Sequence, residues 1–457
     1  MSDLLTIILA AGKGTRMKSD ISKVLHQVAG RPMVEHVVME SQNISEKNNI
    51  VCVVGYQASQ VKEILQQREI NFVHQQQQLG TGHAVLQARE YIERHQGPVL
   101  VLYGDTPLLR AQTIEKLIAR FKNKKAGAAV LTAVLKNPAG YGRIIKNKKK
   151  SIIDIVEDSD ATEEQQKIKE INSGVYCFDA SLLLQALKNI ENDNEQQEYY
   201  LTDCIKFIKN KGKEIIPVQV EDNEEILGVN SRSDLVRATA VFNQKIIKSH
   251  LEAGVTIIDP ENTYIDRDVF LGKDSVVYPF TFISGDTRVG QNTVIGPYCK
   301  ITSSQIGASV ELKANCNIND SIIGDNCRIG PFAYIRPGTS LKEGVKVGDF
   351  VELKKAEIAE GSKVPHLSYV GDAQIGKKCN IGAGTIFANY DGEKKHQTQI
   401  EDESFIGSNT TLVAPVKVKE KGKTGAGAVV THNVPEGATV IGVPARKYTQ
   451  GKNKKEE

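Results

Sequence analysis

The chain has 457 residues, 40% of them hydrophobic and 25% charged, with a formal net charge of +3 at pH 7. That length exceeds one ordinary core and predicts two domains, and the near-neutral charge speaks against a general nucleic-acid binder. No apolar run approaches the length of a membrane span, and the opening MSDLLTIILAAGKG lacks the basic n-region of a signal peptide, so a cytoplasmic protein is expected. Seven cysteines (52, 177, 204, 299, 316, 327, 379) never fall in CxxC spacing, which points to reduced thiols rather than disulfides or a zinc site.

The first element is an apolar strand, Thr6 to Leu9, running into a loop with Gly12 and Gly14 in TIILAAGKGTRM. Glycines there let backbone N–H groups approach phosphate oxygens, while Lys13 and Arg16 supply charge. The pattern is neither GxGxxG nor a Walker loop; SKVLH at 22–26 adds a second basic reach, Lys23. Strands and helices then alternate: NIVCVVGY and ASQVKEILQQ, NFVHQ and GTGHAVLQARE, VLVLYGD and TIEKLIARF. This is α/β with a largely parallel sheet, whose ligands lie at the carboxyl ends of strands. Asp105, directly after VLVLYG, is placed there to hold a hard cation beside a triphosphate, or to cap the next helix. One of the glutamines 75–78, before LGTGHA, is placed to read a base edge. GYGRI, the pair at 156–157, EINSGVY, EYYLTD and GVNSRSDL follow in order. This half resembles the sugar-nucleotide nucleotidyltransferases.

Next comes SRSDLVRATAVFNQKIIKSHLEAG. Ser231 with Asp234 reads as a capping-box-like start, and Leu235, Ala238, Phe242, Ile246 and Leu251 follow a helical face up to Gly254. A helical linker over 233–253 is expected between a domain at 1–232 and another at 254–457.

From Ile265 onward an aliphatic residue falls almost every sixth position, through Ile301, Ile335, Ile381 and Phe387, and again from Ile400 to Val418. Neither period 2 nor period 3.6 fits; a six-residue period means one short strand and one turn per repeat, three repeats per triangular coil. About nine coils, stacked at about 4.8 Å, would make a prism roughly 40 Å long. Gly or Asp after many inward residues suits corner conformations that a β-carbon disfavours. The beat stops between Phe387 and Ile400, where the polar stretch ANYDGEKKHQTQ leaves the coil. This half resembles the left-handed parallel β-helix of the hexapeptide-repeat acyltransferases, which usually trimerise with sites in the grooves between chains.

Together the halves resemble the bacterial bifunctional family that unites N-acetylglucosamine-1-phosphate uridyltransferase with glucosamine-1-phosphate N-acetyltransferase. The resemblance implies a Rossmann-like α/β nucleotidyltransferase domain followed by the β-helix, in a cytoplasmic homotrimer without nucleic-acid partners. It implies synthesis of UDP-N-acetylglucosamine for peptidoglycan and, in Gram-negatives, lipopolysaccharide. The substrates would be glucosamine-1-phosphate and acetyl-CoA, then N-acetylglucosamine-1-phosphate and UTP, with Mg²⁺. Carried onto this chain, Leu9, Ala10, Ala11, Gly12 and Lys23 would bind UTP, with Arg16 and Lys23 countering charge on the departing pyrophosphate. Gln75, Gly80 and Thr81 would contact uridine; Tyr103 and Gly104 would flank the sugar nucleotide. Asp105 and Asn230 would hold Mg²⁺, and Gly142, Glu157 and Asn172 the N-acetylglucosamine moiety. In the repeat, Arg336, Lys354, Tyr369 and Asn380 would bind glucosamine-1-phosphate, His366 would be the general base, and Ala383, Asn389, Tyr390, Ser408 and Ala426 would contact acetyl-CoA. Ser408 is also a possible oxyanion donor. Val443 stands where many relatives place a coenzyme A-contacting Arg, with Arg446 three residues on. The competing reading is a sugar-1-phosphate nucleotidyltransferase whose β-helix only regulates or trimerises.

Overall fold

The computed structural model describes residues 4–442 and divides into two compact units, 1–242 and 243–457. In the first unit, the strand Leu5–Ala10 is buried along its whole length, as its unbroken apolar run requires of a central parallel strand. It lies between the parallel strands Ile50–Val54 and Pro98–Tyr103. Asn71–His74 extends the sheet on one side. On the other, Glu170–Asp179 runs antiparallel to Pro98–Tyr103 and to Ala128–Val134, and Ile215–Gln219 closes the edge. Helices cover both faces; Ala111–Lys124 buries Ile114, Leu117, Ile118 and Phe121 and ends on Lys122 and Lys124, the charge a helix C-terminus favours. The carboxyl ends of the three central strands open on one side of the sheet, where the first site forms.

The helix Arg232–Glu252 begins with the expected cap: the Asp234 carboxylate accepts from the Ser231 backbone at 2.9 Å, and Ser231 Oγ accepts from the Asp234 N–H at 3.2 Å. The division between units falls inside this helix, at Phe242/Asn243. Within the first unit Ala238 and Val241 are buried, while Phe242 lies 4.6 Å from the His36 ring. Leu251, expected on the buried face, is 43% exposed, and Ile247 is buried instead. One stripe at period 3.6 cannot continue unbroken along a helix whose two halves belong to different cores. In the second unit the Asn243 amide donates to the Thr263 carbonyl at 2.8 Å and accepts from the Ile265 N–H at 3.0 Å. A helix side chain thus satisfies the backbone at the first coil of the repeat, which has no coil beneath it.

The repeat is a three-sided left-handed parallel β-helix. Each short strand pairs in parallel with the strand one coil later, as Arg328–Ile329 does with Lys346–Asp349 and that with Lys363–His366. The aliphatic residues of the six-residue beat all point inward; Ile306, the most exposed of them, is 4% accessible. Each contributes about 1.5–3 kcal/mol of burial, which explains why the phase is kept. The prism is longer than expected: one face carries eleven strands, from Thr256–Ile257 to Thr439–Val440. Ten steps give about 48 Å; the beat is masked at one end by the irregular Ile257 to Ile265 step and at the other by Thr424, an inward residue that is not aliphatic.

The glycines after inward residues serve a different purpose from the expected one. A β-carbon on Gly272 would meet the Gln291 backbone nitrogen at 2.5 Å, and one on Gly382 the Ser408 nitrogen at 2.5 Å, so these glycines allow coil-to-coil contact. The left-handed corner conformations mostly fall two residues later, on Asp274, Asn292, Phe332 and Phe350 as well as on glycines such as Gly384 and Gly427; Gly330, directly after inward Ile329, is itself left-handed. Four of the cysteines, 299, 316, 327 and 379, are buried in the prism; Cys299 Sγ lies 3.2 Å from the Lys313 carbonyl, and burial pushes Cys327 up to about 11. All seven thiols are free and buried.

Asn243→Ala leaves the Thr263 carbonyl and the Ile265 N–H unpaired in a buried place. Amide exchange at Ile265 should then report a loss of about 1–3 kcal/mol of local stability. Unchanged protection would show that Asn243 does not hold the first coil.

Candidate active sites

In the first unit a cleft of about 210 Å³ opens at the sheet's carboxyl edge. Leu9, Ala10, Ala11 and Gly12 line one end of it, and a β-carbon on Gly12 would meet nothing within 4 Å. Gly14, at φ 70°, lets the Lys23 side chain pass against the loop: a β-carbon there would fall 2.5 Å from Lys23 Cβ. The Lys23 ammonium ion-pairs with Asp105 and donates to Asn230 Oδ1 at 3.0 Å, and Arg16 donates to the same oxygen at 3.1 Å. Lys23 and Asp105 side chains are only 15% and 12% exposed, so removing either strands a buried charge. The Val229 N–H donates to the Asp105 carbonyl at 2.9 Å and carries Asn230 to this point. Gly104 donates to the Leu9 carbonyl, locking adjacent strand ends together. Lys13, expected to supply charge at the loop, is not among the residues that line the cleft, and its ammonium stands 5.5 Å over the Tyr56 ring.

At the opposite end Gln75 is 3% exposed, beside Gly80 and Thr81. Gly80 adopts φ 109°, and a β-carbon would press on the Tyr199 carbonyl at 2.6 Å; Thr81 Oγ1 accepts from the Leu201 N–H at 3.0 Å. The EYYLTD stretch therefore walls this end. Glu198, which the sequence did not single out, lines the cleft, and burial holds its carboxyl above the usual range. Gly142, Glu157 and Asn172 also meet. The Asn172 N–H donates to the Gly142 carbonyl at 2.8 Å, and a β-carbon on Gly142 would lie 3.3 Å from Glu157 Oε2. Burial raises the Glu157 carboxyl although the Thr202 hydroxyl donates to it. Glu170–Asp179 shifts register between Asn172 and Tyr176, and Gly174 in that bulge packs against the Tyr103 ring. Burial, then the Glu157 charge, push the Tyr103 phenol up.

The repeat places its residues by coil register. His366 lies one coil above Asp349, and its Nδ1 is 2.5 Å from Asp349 Oδ1. Gly384 donates to the His366 carbonyl, Asn409 to Ala383 and Gly427 to Ser408. Asp349, His366, Ala383, Ser408 and Ala426 therefore follow one another up a single corner. Asn380 lies on the strand leading to this corner, paired with Lys363 and Phe405.

The other expected residues gather at the next corner. Asn389 donates to Asp372 at 2.5 Å and lies 3.5 Å from the Tyr369 hydroxyl. Arg336 pairs with Glu352 at 2.6 Å and stands 5.6 Å from the Tyr334 ring. The Lys354 ammonium faces that of Lys395, which holds it below the ordinary lysine range, with Arg336 adding to the effect. Lys395 belongs to the polar interruption, which is an ordered hairpin. Tyr390 bridges Lys395, the His396 N–H returns to the Asn389 carbonyl at 2.8 Å, and Tyr390 Oη donates to the Gly392 carbonyl at 2.5 Å. The Asp391 carboxylate accepts from the Glu393 and Lys394 N–H groups and from His396 at 2.6 Å; the Lys394 N–H, first, holds it well below the usual range. One chain thus splits the expected set. Arg336, Lys354, Tyr369, Asn389 and Tyr390 fall at one corner; His366, Ala383, Ser408 and Ala426, with Asn380 on the adjoining strand, fall at the preceding one. Asp349 and Asp372 escaped sequence reading, although each lies 17 residues, one coil, before its partner. Val443 and Arg446 lie outside the described residues.

A phosphate-loop cleft on a mixed α/β sheet, joined to a hexapeptide prism with a histidine–carboxylate pair, defines a nucleotidyltransferase fused to a hexapeptide-repeat transferase. Residues 6–193 match the MobA-like NTP transferase domain, 260–341 the GMPPB C-terminal domain, and 397–432 the hexapeptide repeat of succinyl-transferase. The bifunctional protein GlmU of Clostridioides difficile is 46% identical over 99% of this chain and 98% of its own. The GlmU proteins of Acetivibrio thermocellus (46%, 96% and 95%) and Carboxydothermus hydrogenoformans (48%, 95% and 96%) match similarly. Among solved structures, a UDP-glucose pyrophosphorylase complexed with UDP-glucose aligns with 54% of this chain and all of its own, at 18% identity and TM-score 0.44. The chain belongs to the GlmU family of bifunctional proteins.

Lys395→Ala should raise the Lys354 pKa toward the ordinary lysine value, because the largest cause of its depression is removed. NMR titration of labelled lysine side chains checks this, and an unmoved Lys354 resonance would place the two ammoniums apart.

Proposed function

We propose that this chain acetylates glucosamine-1-phosphate with acetyl-CoA and then transfers UMP from UTP to the product, releasing pyrophosphate. Residues 1–232 carry the second reaction and 254–457 the first, joined by the helix at 233–253. The observation that carries the reading is the presence on one chain of two separate chemical constellations, Lys23–Asp105–Asn230 and Asp349–His366. The alternative, a β-helix that only regulates or trimerises, leaves the His366 corner and the ordered hairpin without a purpose. Among the described residues no helix is long and apolar enough to cross a membrane.

In the uridyl site, the sugar phosphate oxygen attacks the α-phosphorus and pyrophosphate leaves in line; no protein nucleophile is needed, so positioning and charge dominate. Gln75, Gly80 and Thr81 hold the uridine, Gly142, Glu157 and Asn172 the sugar, and Tyr103 and Gly104 lie between. Arg16 and Lys23 neutralise the departing pyrophosphate. Asp105 offers a carboxylate oxygen and Asn230 an amide oxygen, both turned to the Lys23 ammonium, with Arg16 also donating to the amide oxygen. That hard-oxygen pair suits Mg²⁺, whose remaining ligands are commonly phosphates and waters. When bound there, the ion supplies charge neutralisation at the phosphates.

In the acetyl site, Asp349 accepts the Nδ1 proton of His366 and so leaves Nε2 as the base. His366 takes a proton from the amine as its nitrogen forms the bond to the thioester carbonyl carbon, and the coenzyme A thiolate departs. Ser408, one corner position above Ala383, would stabilise the oxyanion, and Ala383 and Ala426 would contact the coenzyme A. Arg336, Lys354 and Tyr369 receive the sugar phosphate, with Asn389 and Tyr390 at the acetyl donor. Because these groups and His366 occupy different corners of one prism, the complete site forms in a groove between chains of a homotrimer, and Asn380 joins it there.

Asp105→Ala should abolish Mg²⁺-dependent uridyl transfer and leave acetyl transfer nearly intact; equal loss of both in a folded variant would refute two separate sites. His366→Ala should lower the acetyl-transfer kcat by about 10²–10⁴ with little change in uridyl transfer. Mixed trimers of His366→Ala and Asn389→Ala chains should then recover part of the acetylation. No recovery in verified mixed trimers would place both residues in one chain's site.

A further inference from the structure

The base end of the uridyl cleft contains a hydrogen-bond relay that the proposed reaction does not use. Gln75 is almost fully buried, and its amide nitrogen has two hydrogens to give. It lies 3.0 Å from His83 Nδ1 and 3.2 Å from the Gly80 carbonyl oxygen. A carbonyl only accepts, so the Gly80 contact fixes which end of the amide is the nitrogen. His83 Nδ1 must then be the acceptor, and the neutral ring carries its proton on Nε2. Gln87, one helical turn on, has its amide nitrogen 3.1 Å from that ring nitrogen and 3.1 Å from the His83 carbonyl oxygen; half-buried where Gln75 is buried, it is the amide that gives up the carbonyl and turns its oxygen to Nε2.

Both Gln75 hydrogens are therefore consumed inside the protein. Oε1 has no hydrogen-bond partner among the described residues, and it is absent from the fully buried unpaired atoms. With Gln75 lining the cleft, that oxygen is the group the side chain can present to a ligand. An oxygen that only accepts suits a base bearing a hydrogen on its ring nitrogen, as uracil does at N3. Cytosine presents a lone pair at N3, and the two lone pairs would face each other. Without His83 only the longer 3.2 Å contact to the Gly80 carbonyl opposes a turn of the amide end for end, and the turned amide offers a donor, which cytosine N3 accepts.

We infer that His83 is a positioning residue for base choice: by accepting one Gln75 hydrogen, beside the Gly80 carbonyl that accepts the other, it commits the amide to a pyrimidine with a protonated N3 and excludes cytosine. The inference rests on the reading of Gln75 as the residue that meets the base.

The test compares kcat/KM for UTP and CTP in the full-length enzyme, with N-acetylglucosamine-1-phosphate as the acceptor. His83→Leu removes the acceptor, and the UTP/CTP ratio should fall at least about tenfold, the scale of a lost hydrogen-bond discrimination. The KM for the sugar phosphate and the acetyl-transfer kcat should not move, since a general loss of structure would disturb the first. His83→Asn keeps an acceptor close to the Nδ1 position and should hold the ratio within about threefold of the wild type. If His83→Leu does not fold, His83→Ala carries the same expectation. An unchanged ratio in either folded variant lacking the acceptor overturns the role of His83. Gln75→Leu separates the two ideas. If it leaves the ratio unchanged, the base-reading role of Gln75 falls, and the inference with it; if it collapses the ratio while His83→Leu does not, only the His83 inference falls.

Discussion

The coil-to-coil backbone hydrogen bond governs the second half of this molecule. Each coil donates to the next in fixed register, as Arg328 does to Val345 and Lys346 to Ser362. A residue is therefore carried directly over the one a coil earlier, commonly 17 or 18 positions back and 25 across the coil that holds the hairpin. Side chains remote in sequence become neighbours without any loop having to fold between them. The Asp349–His366 and Asp372–Asn389 contacts are both such one-coil neighbours. The inward aliphatic residue supplies the energy that keeps the register, since a one-residue slip would turn the whole buried column outward.

The same constraint explains where chemistry can be added. The inside of the prism is filled, so functional groups sit on its corners and outward faces. A longer reach requires leaving the coil and rejoining it in phase. The hairpin between Ala388 and Thr398 does this: Tyr390 bridges Lys395, Asp391 collects its N–H groups, and Thr398–Ile400 pairs with Ala373 to Ile375 below. Its polar composition is the reason the inward beat falls silent there.

Much of this was legible because periodicity and strand-end loops are local signals. The six-residue beat foretold the buried aliphatic residues one by one, and the TIILAAGKGTRM, SKVLH and VLVLYGD stretches converge on one cleft. The less legible features depend on what lies across a gap in sequence. Lys13 looked like Lys23, yet only Lys23 faces Asp105, and Lys13 has the Tyr56 ring beneath it. Glycines after inward residues looked conformational, whereas the next coil's backbone demands them. Leu251 fitted a helical stripe, but a helix shared between two cores changes its buried face. Glu198 reads as solvated in a polar run, and burial against the cleft is invisible until the chain returns to Leu79.

In the first unit, too, the decisive contacts span long separations: Lys23 to Asn230, Asp105 to Val229, Leu79 to Tyr199. A mixed sheet supplies these by gathering strand ends, where the prism supplies its own by stacking. The sheet's route allows unlike segments to meet, which suits a cleft that must hold a base, a sugar and phosphates at once. Stacking delivers one residue per coil along a line, and here it leaves the His366 corner and the Lys354 corner one side apart. A line of groups on a convex edge cannot enclose a substrate by itself, and concavity has to come from a second surface. In the proposed homotrimer that surface would be another prism, whereas the α/β unit completes its cleft within one chain.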